Sequence, residues 1–246
     1  MADELRMPLT AHLDELRWRL IKCLLAVGVA FVPCYGYFAD DLILLLTRPL
    51  RRINPELPML IGTGLAEAFV SKVKVSFIAG IFLASPVVLY QTWRFVAPGL
   101  YKNEKGFIVP FVLFGSLFFV GGAGFCYAAV LPVAYGFLVG QFSDVAVEPA
   151  LRISEYLTFT SRLMLAFAVT FEMPVLTFFL ARTGLVDHKV LLRFARYAVV
   201  VIFIVAAILT PPDVVSQILL AAPLLVLYAV SVGVAYMVHR KAKPSA

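Results

Sequence analysis

Four groups of polar residues lie inside or beside long apolar runs, and they define the chemistry open to this chain. Glu172 sits in the middle of the run from Phe159 to Ala181, where an ionisable group costs at least about 2.5 kcal/mol and is functional by default. A carboxyl there is least unfavourable as the neutral acid. Pro174, two residues on, frees a backbone carbonyl one turn back that a protonated Glu172 could address. Two readings stay open, a neutral acid tethering two helices and a contact to substrate or partner. The second group is the segment from Pro8 to Arg17, an amphipathic helix with Leu9, Leu13, Leu16 and Leu20 on one face and Asp14 and Glu15 projecting to water. A position along the membrane interface and an i,i+4 pair of Glu15 with Arg19 account for it by themselves. The third is the loop from Phe95 to Lys105, in which Pro98-Gly99 makes a turn and Glu104 precedes a helix N-terminus, where a carboxylate is favoured as a cap. The fourth runs from Leu209 to Gln217. Asp213 caps the helix after Pro211-Pro212, while capping leaves Thr210 and Gln217 unexplained; a Gln in a membrane span seeks a partner on another helix.

No covalent or redox chemistry assembles from the rest. Cys23, Cys34 and Cys126 have neither disulfide nor ligand spacing and read as small core residues. His12, His188 and His239 fall in polar segments, which argues against a haem at membrane depth. No glycine-rich phosphate cradle is present, and no nucleophile and base share one depth. The sequence indicates no cofactor, no metal and no enzyme.

The elements that must position these residues are membrane helices. The chain has 246 residues, 62% hydrophobic and 15% charged, with a mean hydropathy of +0.93. Apolar stretches long enough to cross a bilayer recur along it, predicting an all-α membrane protein with spans at 20–39, 74–94, 107–131, 159–180, 197–211 and 214–237. The first span follows Arg17, Arg19 and Lys22 as a signal peptide would, but acidic residues crowd its front and five more spans follow, so it reads as helix one. The net charge of +6 is a topology signal rather than a nucleic-acid footprint. With both termini cytoplasmic, 14 of the 21 basic residues fall on the inner side. The outer segment from Asp40 to Lys72 carries enough leucine to form short cap helices, and in a second outer segment, Gly140 to Thr158, Ser154 followed by apolar residues is the expected start of a helix. The fifth span is short: Tyr197 to Thr210 covers about 21 Å of a hydrocarbon core about 30 Å thick. Pro33, Pro86, Pro110, Pro174 and Pro223 imply kinked helices.

In order and spacing, four passages resemble the TatC family. They are His12-Leu13-Asp14-Glu15-Leu16-Arg17; Ser85 to Trp93 running into Phe95 and Pro98-Gly99-Leu100-Tyr101 with Glu104; Phe171-Glu172-Met173-Pro174; and Leu209-Thr210-Pro211-Pro212-Asp213 with Gln217. The resemblance implies a multi-pass receptor of the bacterial cytoplasmic (inner) membrane. It would bind signal peptides bearing two adjacent arginines and export folded proteins with TatA- and TatB-like single-span partners, as a homo-oligomer driven by the proton-motive force. It assigns twin-arginine binding to Glu15 and Glu104, a concave buried face to Glu172, partner docking to Thr210 and Gln217, and structural or assembly roles to Pro49, Phe95 and Asp213. The chemistry fits, because a carboxylate accepts the planar guanidinium fork bidentately and an ammonium cannot reproduce that fork. The alternative is a proton-coupled small-molecule transporter with Glu172 as carrier, which would tolerate charge reversal at Glu15 and Glu104.

Overall fold

The computed structural model describes residues 9–53, 60–96, 108–144, 150–210 and 213–242. Among these described residues eight α-helices follow in order: α1 Leu9–Tyr37, α2 Ala39–Ile53, α3 Glu67–Val96, α4 Ile108–Phe125, α5 Leu131–Asp144, α6 Ile153–Arg182, α7 His188–Leu209 and α8 Val214–Ala242, with a π-helical turn Cys126–Val130 joining α4 to α5. Six stretches are long and apolar enough to cross a bilayer: Leu13–Tyr37, Glu67–Phe95, Ile108–Phe142, Ile153–Arg182, His188–Leu209 and Val214–His239. With six crossings, the start of α1 and the end of α8 share one face, called here the termini face; α2 lies on the opposite, cap face. The expected all-α membrane architecture is present, and no strand occurs among the described residues.

The helices outrun the apolar stretches that announce them, because backbone hydrogen bonding continues through polar turns. The N-terminal segment is therefore not a separate interfacial helix but the first turns of α1, unbroken to Tyr37. The third crossing does not stop at 131. It runs on through α5 to the cap face, its widened turn marked by a bond from Leu131 N–H to Cys126 O, immediately before Pro132, which has no N–H to give. The fifth crossing is the shortest, as expected, yet at 22 residues it extends beyond the apolar stretch through Arg193 and Arg196 to His188. Pro110 is the third described residue of α4.

The cap helix docks by a rule legible in its residues. Leu46 and Leu50, one turn apart, are buried, while Arg48, Arg51 and Arg52 face outward; Asp40 and Asp41 in the first turn and Arg51 and Arg52 in the last suit the helix dipole. Pro49 is buried inside α2 and cannot donate to Leu45 O, four residues back. That carbonyl instead accepts from Tyr127 Oη at 2.8 Å, and Leu46 O accepts from Tyr156 Oη at 2.7 Å. Pro86 in α3 repeats the device: Phe82 O, four residues back, accepts from Ser85 Oγ at 2.8 Å.

A clasp closes the cap face. Ile61 bridges to Arg152 in parallel, with Ile61 N–H donating to Leu151 O at 2.9 Å and Ile153 N–H to Ile61 O at 3.0 Å. Glu67, the first residue of α3, accepts from the N–H groups of Thr63 at 2.6 Å and Gly64 at 3.0 Å with Oε2, and from Ser154 N–H at 3.1 Å with Oε1. Ser154 was expected to start α6. The helix begins instead at Ile153, no side chain caps it from Arg152, and Glu67 supplies the acceptor from another helix.

The main core joins the α4–α5 crossing, α6 and α8 around Leu131, Leu157, Leu163, Phe167 and Ala221, none of which has any exposure. A smaller cluster at the termini half of the bundle stacks Trp93 on Phe111 at 4.5 Å, with Phe179 meeting both edge-on. Two glycines permit the close approaches. A Cβ on Gly80 would lie 3.1 Å from Phe31 N, seating α1 on α3, and one on Gly122 would lie 2.7 Å from Phe167 O, seating α4 on α6. Exposed Leu24, Leu25, Val29 and Val32 on α1 are suited to lipid.

Candidate functional site

On the termini face, Glu15 Oε1 accepts from Arg19 Nε at 3.0 Å and also contacts Nη2 of the same guanidinium. The expected i,i+4 pair is therefore formed, with Arg19 13% and Glu15 24% exposed. Arg19 Nη1 also approaches Gln91 Oε1 of α3 at 3.4 Å. That contact places Glu15 beside the end of α3, whose last turn holds half-buried Phe95. Glu104 lies outside the described residues. Its position in the sequence is between the end of α3 and the start of α4, both on the termini face.

Glu172 is 6% exposed in α6. Its carboxyl faces α4 where Gly115 has no side chain: a Cβ there would stand 3.2 Å from Oε2 and 3.1 Å from Leu89 Cδ1 of α3. Three crossings thus converge on one acid. The expected acceptor freed by Pro174 is not engaged, since neither carboxyl oxygen has a hydrogen-bond partner among the described residues. Buried Trp93 Nε1, in the aromatic cluster one turn beyond Leu89, is also without one.

At the cap end of the α7–α8 hairpin, Asp213 Oδ1 accepts from Ser216 N–H at 2.7 Å, the expected N-cap. Gln217 Nε2 donates across to Phe203 O of α7 at 2.9 Å, and Thr210 Oγ1 donates to Ala206 O in its own helix at 2.9 Å. Both of these side chains donate a hydrogen bond within the hairpin.

Sequence reasoning missed two groupings. One is the Glu67 clasp, whose signal was an acid three residues after Gly64 at a helix start. The other is on the termini face, where α7 and α8 bring Asp187, His188 and His239 together. Asp187 Oδ1 lies 2.6 Å from His188 Nδ1 and 3.9 Å from His239 Nδ1. Partial loss of water would raise the Asp187 carboxyl, but the neighbouring histidines and Lys189 N–H outweigh it and hold the group below the usual carboxylate range. No trio of His, Cys, Asp and Glu among the described residues could hold a metal ion.

The family model described as Sec-independent protein translocase protein (TatC) matches residues 11–223. The chain belongs to the TatC family. A TatC protein of Campylobacter jejuni is 41% identical over 97% of this chain and 96% of its own length. One from Desulforapulum autotrophicum is 44% identical over 94% of this chain and 84% of its own. A crystal structure of the twin-arginine translocase receptor TatC superposes with a TM-score of 0.84 at 37% identity, covering 92% of this chain and 99% of that one. In TatC terms, the four passages that resembled the family all lie within the matched residues. The chain is thus a multi-pass membrane component of a protein translocase.

Proposed function

We propose that this protein is the signal-peptide receptor and core subunit of a twin-arginine translocase, reading two adjacent arginines with Glu15 and Glu104. The reading is carried by one observation: Glu15 stands on the termini face with a guanidinium already seated on Oε1, Arg19 Nε donating at 3.0 Å. The site therefore holds the very group it would have to recognise. A second carboxylate, at position 104 in the segment that follows α3, supplies a grip for the second arginine. Both termini and this face are placed in the cytoplasm of a bacterial inner membrane, the side on which 14 of 21 basic residues then fall.

Single-span TatA- and TatB-like partners dock along the α7–α8 hairpin near Thr210 and Gln217, while Glu172 lines a concave face toward which their polar groups turn. Pro49, Phe95 and Asp213 hold the scaffold, and the receptor works as a homo-oligomer. Energy comes from the proton-motive force, about 2.3 kcal/mol per charge moved through 100 mV. A carrier role for Glu172 has less support, because its oxygens face the side-chain-free position of Gly115 and have no hydrogen-bond partner among the described residues to form a relay.

The test is capture of the detergent-solubilised protein on immobilised signal peptides bearing Arg-Arg or Lys-Lys. Arg-Arg should retain it at least about tenfold better, the difference expected for losing a charge-assisted fork. Glu15→Lys and Glu104→Lys should each remove that preference. Equal capture by the two peptides overturns the reading.

A further inference from the structure

Arg162 stands nine positions after Ile153 in α6, about 14 Å along the axis at 1.5 Å per residue. α6 has 30 residues, so if centred it extends only about 7 Å beyond a 30 Å hydrocarbon layer at each end. Arg162 is therefore rooted below the membrane surface at the cap side. It is exposed and forms no hydrogen bond or ion pair with a described residue. One turn before it, Thr158 Oγ1 accepts from Lys74 Nζ of α3 at 2.7 Å. Two cations thus border one strip of α6. The nearby carboxylates are engaged elsewhere, Glu155 with Arg152 at 3.3 Å and Glu67 with the clasp backbone. Charge of this kind inside a span calls for an anion.

Along the strip, between α6 and the end of α7, lies a cavity of about 370 Å³ lined by Ser154, Glu155, Thr158, Phe159, Arg162 and Thr210 among others. Phe159 and Thr210 are also walls of a second cavity, about 300 Å³, whose other walls include Phe125, Val133, Leu163 and Leu219. A mouth that holds Arg162 and the Arg152-paired Glu155 adjoins an apolar cleft. Two turns of a helix about 10 Å across sweep about 850 Å³, so the cleft suits a hydrocarbon chain and not a helix.

We propose that this is a binding site for an anionic phospholipid of the cap-side leaflet, its phosphate on Arg162 and Lys74 and one acyl chain in the cleft. Arg162 reaches outward to the headgroup level, as long cationic side chains in spans do. A free phosphate ion offers the same chemistry to the guanidinium but nothing to the cleft.

Native mass spectrometry of the full chain in detergent, with phosphatidylglycerol, phosphatidylcholine or inorganic phosphate added, separates these cases by mass. Phosphatidylglycerol should remain bound in preference to phosphatidylcholine. Arg162→Gln and Lys74→Gln should each reduce its occupancy about fivefold, the effect of one basic residue at a lipid surface, and Arg162→Lys should retain it. Ala134→Phe, which fills the cleft, should reduce it without touching either charge. Helical circular dichroism and melting check that each variant folds, and if Arg162→Gln does not, Lys74→Gln and Ala134→Phe decide. Unchanged phosphatidylglycerol occupancy in the folded variants overturns the proposal. So does its displacement by millimolar phosphate, or the appearance of a second copy of the chain in place of lipid.

Discussion

Arg19 occupies Glu15 before any export signal arrives, so an incoming arginine must displace it or share the carboxylate. An i,i+4 pair of this kind is worth only about 0.5 kcal/mol, whereas a hydrogen bond to a charged group is worth about 1.5–3 kcal/mol. The intramolecular pair is therefore a weak competitor. Arg19→Gln should tighten binding of an Arg-Arg signal peptide about twofold, while Glu15→Gln should weaken it about tenfold or more, both read by fluorescence anisotropy. Equal weakening by the two variants would make Arg19 part of the grip rather than its rival. The pairing itself was legible in the spacing of Glu15 and Arg19. The approach of Gln91 was not, because it depends on where α3 ends relative to α1.

At the scale of elements, Pro49 and Tyr127 act together: one opens a carbonyl in α2 and the other fills it from the third crossing. The two positions therefore couple. Tyr127→Phe should destabilise the wild-type protein by about 1 kcal/mol in a denaturant titration. In a Pro49→Ala background, where residue 49 regains an N–H for Leu45 O, the same change should cost clearly less. Additive effects would show that the tyrosine does not serve that carbonyl. Hydropathy marked where helices lie in lipid but not where they stop, since α1, α6 and α7 continue through polar turns that a transfer scale excludes. The start of α6 was misplaced for a similar reason, its acceptor coming from Glu67, far away in sequence.

For the whole molecule, six crossings put the start of α1 and the end of α8 on one face and the α2–Glu67 cap on the other. Leu65, fully exposed beside the clasp, and Trp18, exposed at the opposite face, therefore report the orientation. In a chain whose native Cys23, Cys34 and Cys126 are replaced, Leu65→Cys should react with a membrane-impermeant maleimide in intact cells. Trp18→Cys should react only after the membrane is opened. The reverse pattern would place Glu15 on the wrong side to meet a cytoplasmic signal.

The sequence by itself determined the solvent, the number of crossings and the family, because a lipid environment demands long apolar stretches and leaves polar residues only where they have a task. It also determined local devices such as the Asp213 cap, which depend on neighbours a turn away. Only the tertiary structure decided that Gly115 and Leu89 face Glu172, that Glu67 starts another helix, and that Arg162 and Lys74 flank one strip beside a cleft. Those juxtapositions join residues from separate crossings, and periodicity along one helix carries no information about which face of another it meets.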